Sequence, residues 1–166
     1  MSYIFQILPA LLSGVKMTLG IFAITLIGYI PLGLILSVGL IPNPKSILGK
    51  AAKGLLEGYV WVFRGTPLLL QLMFIFYGLP IIGLVFDRFS AALVAFILNY
   101  AAYFAEIFRG GFGAIDEGQF EASTVLNMTR WQALRYVVIP QVVKSVLPSI
   151  GNEVINLVKD SSSRNC

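Results

Sequence analysis

Long runs without charge dominate the pattern of the chain. Residues 17–44, 65–86 and 89–105 contain no Asp, Glu, Lys or Arg, and a helix that crosses a bilayer needs about 20 apolar residues. Each run is therefore a candidate span. The first is long enough to cross with tilt, and "IPNP" predicts its end near Ile41, because Pro42 and Pro44 oppose continuation. The second opens with "RGTPLLL", where Thr66 is placed to cap and Pro67 suits the first helical position. "YGLP" offers a break near Gly78 to Pro80, yet a helix ending at Tyr77 would be too short for a core of ~30 Å. Two arrangements stay open: the helix continues, kinked, through "IIGLVF", or the preceding segment enters the membrane as well.

That preceding segment, "SILGKAAKGLLEGYVWVF", carries Lys50, Lys53 and Glu57 at i, i+3, i+7, one narrow polar stripe on an otherwise apolar helix. It fits a helix lying at the interface or the polar entry to the second span. Further on, the stretch "GQFEASTVLNMTRWQALRYVVIPQ" breaks the apolar pattern. "QFEASTVL" is helix-compatible, and Asn127 is well suited to the left-handed conformation that ends helices. Thr129 and Gln132 form a T-x-x-Q capping-box pattern that predicts a second helix. Trp131, Leu134 and Val138 repeat at i, i+3, i+7 along it, and Pro140 is placed to end it. Two short helices joined by a hinge make a knob between hydrophobic runs.

Composition agrees with a membrane protein. The 166 residues are 57% hydrophobic and 12% charged, with mean hydropathy +0.84, against roughly 25% charge in soluble domains. The net charge of +4 does not argue for nucleic acid, because the basic residues are scattered between apolar runs. They speak to topology instead. Lys45, Lys50, Lys53 and Arg64 follow the first run, Arg88 alone follows the second, and Arg109, Arg130, Arg135 and Lys144 follow the third. Cytoplasmic loops carry the Lys/Arg excess, which puts the N-terminus outside and the knob in the cytoplasm. The single Cys166 makes no internal disulfide, and without His no metal site is expected. The N-terminus lacks the basic start of a signal peptide. Neither "LGKAA" nor "GGFGAI" fits a nucleotide-binding fingerprint: Pro44 and Ala51 spoil the first and Asp116 the second.

The knob resembles the cytoplasmic "EAA" loop of type I ABC importer permeases, reading Glu121-Ala122-Ser123, Asn127 and Val138-Ile139-Pro140. The pieces "FRGTPLLLQLMFIFYGLP", "NYAAYFAEIFRGGFGAI", "GQFEAS", "IPQ" and "LPSIGNEVINLVKDSS" resemble the polar amino acid branch, in order and over nearly the whole chain. Asn127 stands where the family has Gly, and Ser123 where it has a second Ala. The resemblance implies an all-α polytopic bundle: one transmembrane domain over 1–166, three clear spans plus part of a fourth, and a two-helix coupling loop at about 116–141. It further implies a shortened C-terminus, since family members continue past "KDSS" into a fifth helix. By the same resemblance the chain is not an enzyme and binds no cofactor; a partner ATPase hydrolyses ATP. The implied partners are ABC ATPase subunits, a second permease subunit, an extracytoplasmic amino-acid-binding protein and the bilayer of the cytoplasmic (inner) membrane. Gly118, Glu121, Ala122, Ser123, Asn127, Ile139 and Pro140 would form the ATPase-coupling loop.

The segment from Ser145 to Asp160 carries the signal for a solute path. Glu153, Asn156 and Asp160 fall at i, i+3, i+7, and Asn152, Asn156 and Lys159 at i, i+4, i+7, giving one polar stripe. A charge at mid-bilayer costs ~2.5–3.5 kcal/mol, so three facing lipid would cost on the order of 9 kcal/mol. They must face a partner helix or a wet cavity, unless the helix lies on the membrane surface. Gln71 and Asn99 are single polar residues in apolar runs; both read first as interhelical hydrogen-bond glue, with Asn99 also a candidate for the path. The aromatic residues of "NYAAYF" read as packing rather than a solute cage. Two other classes remain in view: a membrane scaffold, which has no use for the polar stripe, and an ion-coupled secondary transporter, which has no use for the knob.

Overall fold

The computed structural model describes residues 2–41 and 46–163, with side chains described for 12–41 and 46–161. All elements among the described residues are helical. Helix α1 (Ser2–Leu40) contains the first candidate span and ends where "IPNP" predicts; Pro42, Pro44 and Lys45 themselves lie outside the described residues, as do residues 164–166 with Cys166. Helix α2 (Ile47–Gly65) is amphipathic, with Lys53 and Glu57 paired at 4.0 Å along its polar stripe. Helix α3 (Leu68–Met73) runs on through a π turn (Phe74–Gly78) and a 3-10 turn (Leu79–Ile82) to Gly83, whose φ of +86° reverses the chain. The helix thus continues past "YGLP". Pro80 sits in the first residues of the 3-10 turn, directly after the π turn.

Helix α4 (Arg88–Gly113) opens on Asp87, which accepts from the N–H groups of Phe89 and Ser90. The Ser90 side chain and then these backbone donors hold the Asp87 carboxyl below the usual carboxylate range. This helix is the centre of the bundle, with α1, α2, α3 and α7 all packed on it. Its Ala91, Ala92, Ala95, Ala101, Ala102 and Ala105 are fully buried. Without a hydrophobic drive between helices in lipid, small residues permit the close backbone approach that holds a bundle together. At Gly33 of α1 that approach is backbone to backbone, since an added Cβ would stand 3.0 Å from the Ala101 carbonyl oxygen.

Leu12–Leu40 and Arg88–Gly113 are long and apolar enough to cross a membrane as single helices. The middle run departs from a straight span: Ile47–Gly65 and Leu68–Ile82 pass the same test only as a pair, bent by 106°. Thr66 closes α2 rather than opening α3, its N–H and hydroxyl both donating to the Val62 carbonyl at 3.1 and 2.8 Å. Pro67 takes the cap position, and its carbonyl accepts from Leu70 and Gln71.

After α4 come α5 (Glu117–Val125), α6 (Arg130–Ala133), a π turn (Leu134–Val138) and α7 (Ile139–Ser163). Here the sequence misleads at Pro140. The helix does not stop there but runs without interruption from Arg130 to Ser163. In a regular α-helix the ring of Pro140 would collide with the carbonyl four residues back; the wider π turn just before it makes room. The extra residue also shifts the apolar face, so that Ala133, Val138, Val142 and Val146 are buried in one line at steps of five, four and four. Leu134 and Val138 pack on α4 as the spacing predicts, but Trp131 is left 65% exposed, off that line.

Candidate functional site

The 106° corner between α2 and α3 leaves carbonyls that no helix satisfies, a serious cost inside a membrane. Two side chains from elsewhere meet that need. Gln71 Nε2 donates to the Phe63 carbonyl at 2.8 Å, the Thr66 carbonyl at 3.1 Å and the Thr66 hydroxyl at 2.7 Å. Asn99 Nδ2, on α4, donates to the same Phe63 carbonyl and to Gln71 Oε1, each at 3.0 Å. The reading of both as glue is what the geometry gives.

Against this corner lies a cleft of about 440 Å³, walled by residues 64–68 on one side, Asn99, Tyr100 and Tyr103 on the second, and α7 on the third. From α7 it takes Glu153, Asn156, Lys159 and Asp160. Four of the five stripe residues therefore converge on one cavity with Asn99, while Asn152 is exposed and lies outside its lining.

Three lining residues escape the sequence reading. Tyr100 is 3% exposed and donates its hydroxyl to Asp160 Oδ2 at 2.7 Å, so this tyrosine packs and also fixes a carboxylate. Tyr103 carries the Arg64 guanidinium at 5.3 Å above its ring. Arg64 pairs at 3.6 Å with Glu106, whose other contacts are a two-pronged pair from Arg109. The signal for the tyrosines was present in "NYAAYF", where Asn99 and Tyr103 are i, i+4 on one face; nothing local marks Arg64. Two carboxylates, two cations and two amides in one cavity can hold a zwitterionic polar solute by both its ends.

The caps and the turn of the knob form as the sequence predicts, though its second helix runs on past Pro140. Asp116 caps α5, accepting from Gly118 N at 2.7 Å. Asn127 adopts φ +54°, with Met128 N donating to the Ser123 carbonyl at 3.0 Å and Asn127 N to Thr124 at 2.9 Å, the pair of bonds that closes a helix through a left-handed residue. Thr129 and Gln132 complete the capping box. Glu121 and Ala122 face outward, whereas Ser123 is 4% exposed and turned inward, its hydroxyl on the Gln119 carbonyl. Ile139 and Pro140 are exposed on the continuing helix. A bond of 3.1 Å from Gln141 to Gln119 ties that helix to α5. The outer surface is apolar as well: Phe120, Val125, Leu126 and Trp131 are all exposed.

Comparison with known proteins gives the family. Residues 30–163 match the binding-protein-dependent transport system inner membrane component. The chain is 40% identical over 156 residues to the arginine transport system permease protein ArtQ of Bacillus subtilis, which covers 93% of this chain and 69% of that protein. It is 37% identical over 163 residues to the glutamine transport system permease protein GlnP of Escherichia coli, covering 97% and 72%. A crystal structure of an amino acid ABC transporter with histidines superposes at TM-score 0.85 and 39% identity, over 96% of this chain and 72% of that one. A helical bundle with a broken middle span, a polar cleft and a capped two-helix knob, matched over most of its length to these permeases, belongs to the binding-protein-dependent transport system inner membrane component family.

Proposed function

We propose that the chain forms one wall of a path for polar amino acids in an ATP-driven importer of the cytoplasmic membrane. A second permease subunit supplies the other wall, a separate ATPase docks on the knob, and an extracytoplasmic binding protein delivers the solute. The observation that carries this is the convergence of Glu153, Asn156, Lys159 and Asp160 with Asn99 on one cleft. Charged side chains in a membrane helix are expensive and mark solute paths by default. Arginine and glutamine in the relatives' names fit a cavity with both acids and bases. A surface-lying α7 fits less well, because Leu157 and Ser161 on the same helix are fully buried against the bundle.

The knob supports the coupling half of the reading. Its first helix is capped at both ends and its second at the start, and Phe120, Val125, Leu126 and Trp131 are left exposed on it, which calls for a partner. The Lys/Arg distribution supports a cytoplasmic address for it and an outside N-terminus.

The path is tested by Asn156→Leu in the assembled importer. Uptake of labelled polar amino acids should fall at least tenfold while the ATPase still co-purifies. Unchanged uptake across a range of these solutes would reject the cleft as the path.

A further inference from the structure

Two buried hydroxyls sit one helical turn apart on α1. The hydroxyls of Thr25 and Tyr29 are buried and find no hydrogen-bond partner among the described residues. Such groups are rare in native interiors and call for a specific explanation. The Tyr29 ring is firmly held, 5.9 Å from Tyr100 and edge-on to Phe104 at 5.6 Å. Leu157 of α7 belongs to the same buried cluster. Glu153 lies one helical turn before Leu157 and so shares its face. Tyr100, on which Tyr29 packs, lines the cleft together with Glu153. Yet among the described residues Glu153 makes no hydrogen bond or ion pair. The contrast with its neighbour is direct: Tyr100 donates to Asp160, the other acid of the cleft.

We propose that Tyr29 is a positioning residue for the solute cleft, whose hydroxyl donates to Glu153 when a solute ammonium seats against that carboxylate. The two acids of α7 are then served by two tyrosines, one through the bond from Tyr100 to Asp160 and the other through a bond that closes on loading. A solute that displaces water leaves the half-buried carboxylate short of donors, and Tyr29 is a donor with nothing else to bind. A second charge-assisted bond holds the carboxylate toward the solute cation. The proposal rests on the cleft being the solute station.

The test is equilibrium binding of labelled L-arginine and L-glutamine to the permease–ATPase complex in nanodiscs, without the binding protein. Tyr29→Phe removes one oxygen and keeps the ring contacts. It should weaken binding about tenfold, the size of one hydrogen bond to a charged group, with protein level and ATPase co-purification unchanged. In a Glu153→Gln background the same change should cost less than about twofold, because coupled residues are not additive. An unchanged Kd in Tyr29→Phe, or independent effects of the two substitutions, would overturn the assignment of Tyr29 alone. If Glu153→Gln itself binds as the parent does, or the parent binds neither amino acid, the cleft reading falls and the role of Tyr29 with it.

Discussion

The knob and the corner are built by opposite means. In the knob most shaping bonds are local: Asp116 to Gly118, Met128 to Ser123 and Thr129 to Gln132 span at most five residues, while the bond from Gln141 to Gln119 reaches 22 residues. At the corner the decisive bonds reach 28 and 36 residues along the chain, from Asn99 to Gln71 and Phe63. A locally capped body keeps its shape while leaving its outer face free for another protein. A corner held from a distance keeps its shape only while α4 stays in place, which suits a wall of a cavity that must be both fixed and polar.

Breaking the corner should have the largest effect on the fold. Asn99→Leu leaves Gln71 Oε1 buried without its donor and removes one of the two donors to the Phe63 carbonyl. An unmatched buried polar group costs about 1–3 kcal/mol. Membrane-inserted level and thermal stability in detergent should fall together. Asn99→Asp, which keeps an acceptor but loses the donor, should not rescue them.

The knob should respond to one backbone angle. Asn127→Val places a β-branched residue at φ +54°, a conformation that costs roughly 1–2 kcal/mol for residues other than Gly and Asn. Asn127→Gly should match or slightly exceed the parent. Because the bonds are local, the loss should appear as faster proteolytic cutting between α5 and α6 while the α1–α4 core stays resistant. Equal cutting of the Val and Gly variants would show that the left-handed turn does not set the knob's shape.

What the sequence made legible follows the same division. The end of α1, the Asn127 turn, the capping box and the polar stripe of α7 each rest on residues within a few positions of one another. The role of Thr66, the tyrosines of the cleft and Arg64 depend on which helices meet, and spacing along one helix does not carry that. Pro140 and Trp131 form a third case. The rule that proline ends a helix was overridden by a π turn, and the added residue rotated the buried line onto Ala133 and away from Trp131.

That rotation gives the smallest effect on folding and the sharpest test. Trp131 is 65% exposed and Glu121 faces outward, so Trp131→Ala and Glu121→Lys should each change stability by no more than about 0.5 kcal/mol, the usual range for surface positions. At a docking face the same changes act differently: exposed aromatics anchor interfaces, and a reversed charge meets a surface shaped for the original one. The direct measurement is co-purification of the cognate ATPase, normalised to permease level, for Glu121→Lys, Trp131→Ala and the parent. The expected result is normal permease level with ATPase recovery reduced at least tenfold in both variants. Recovery equal to the parent in both would mean that the knob is not where the ATPase binds, and the coupling half of the proposed function would be wrong.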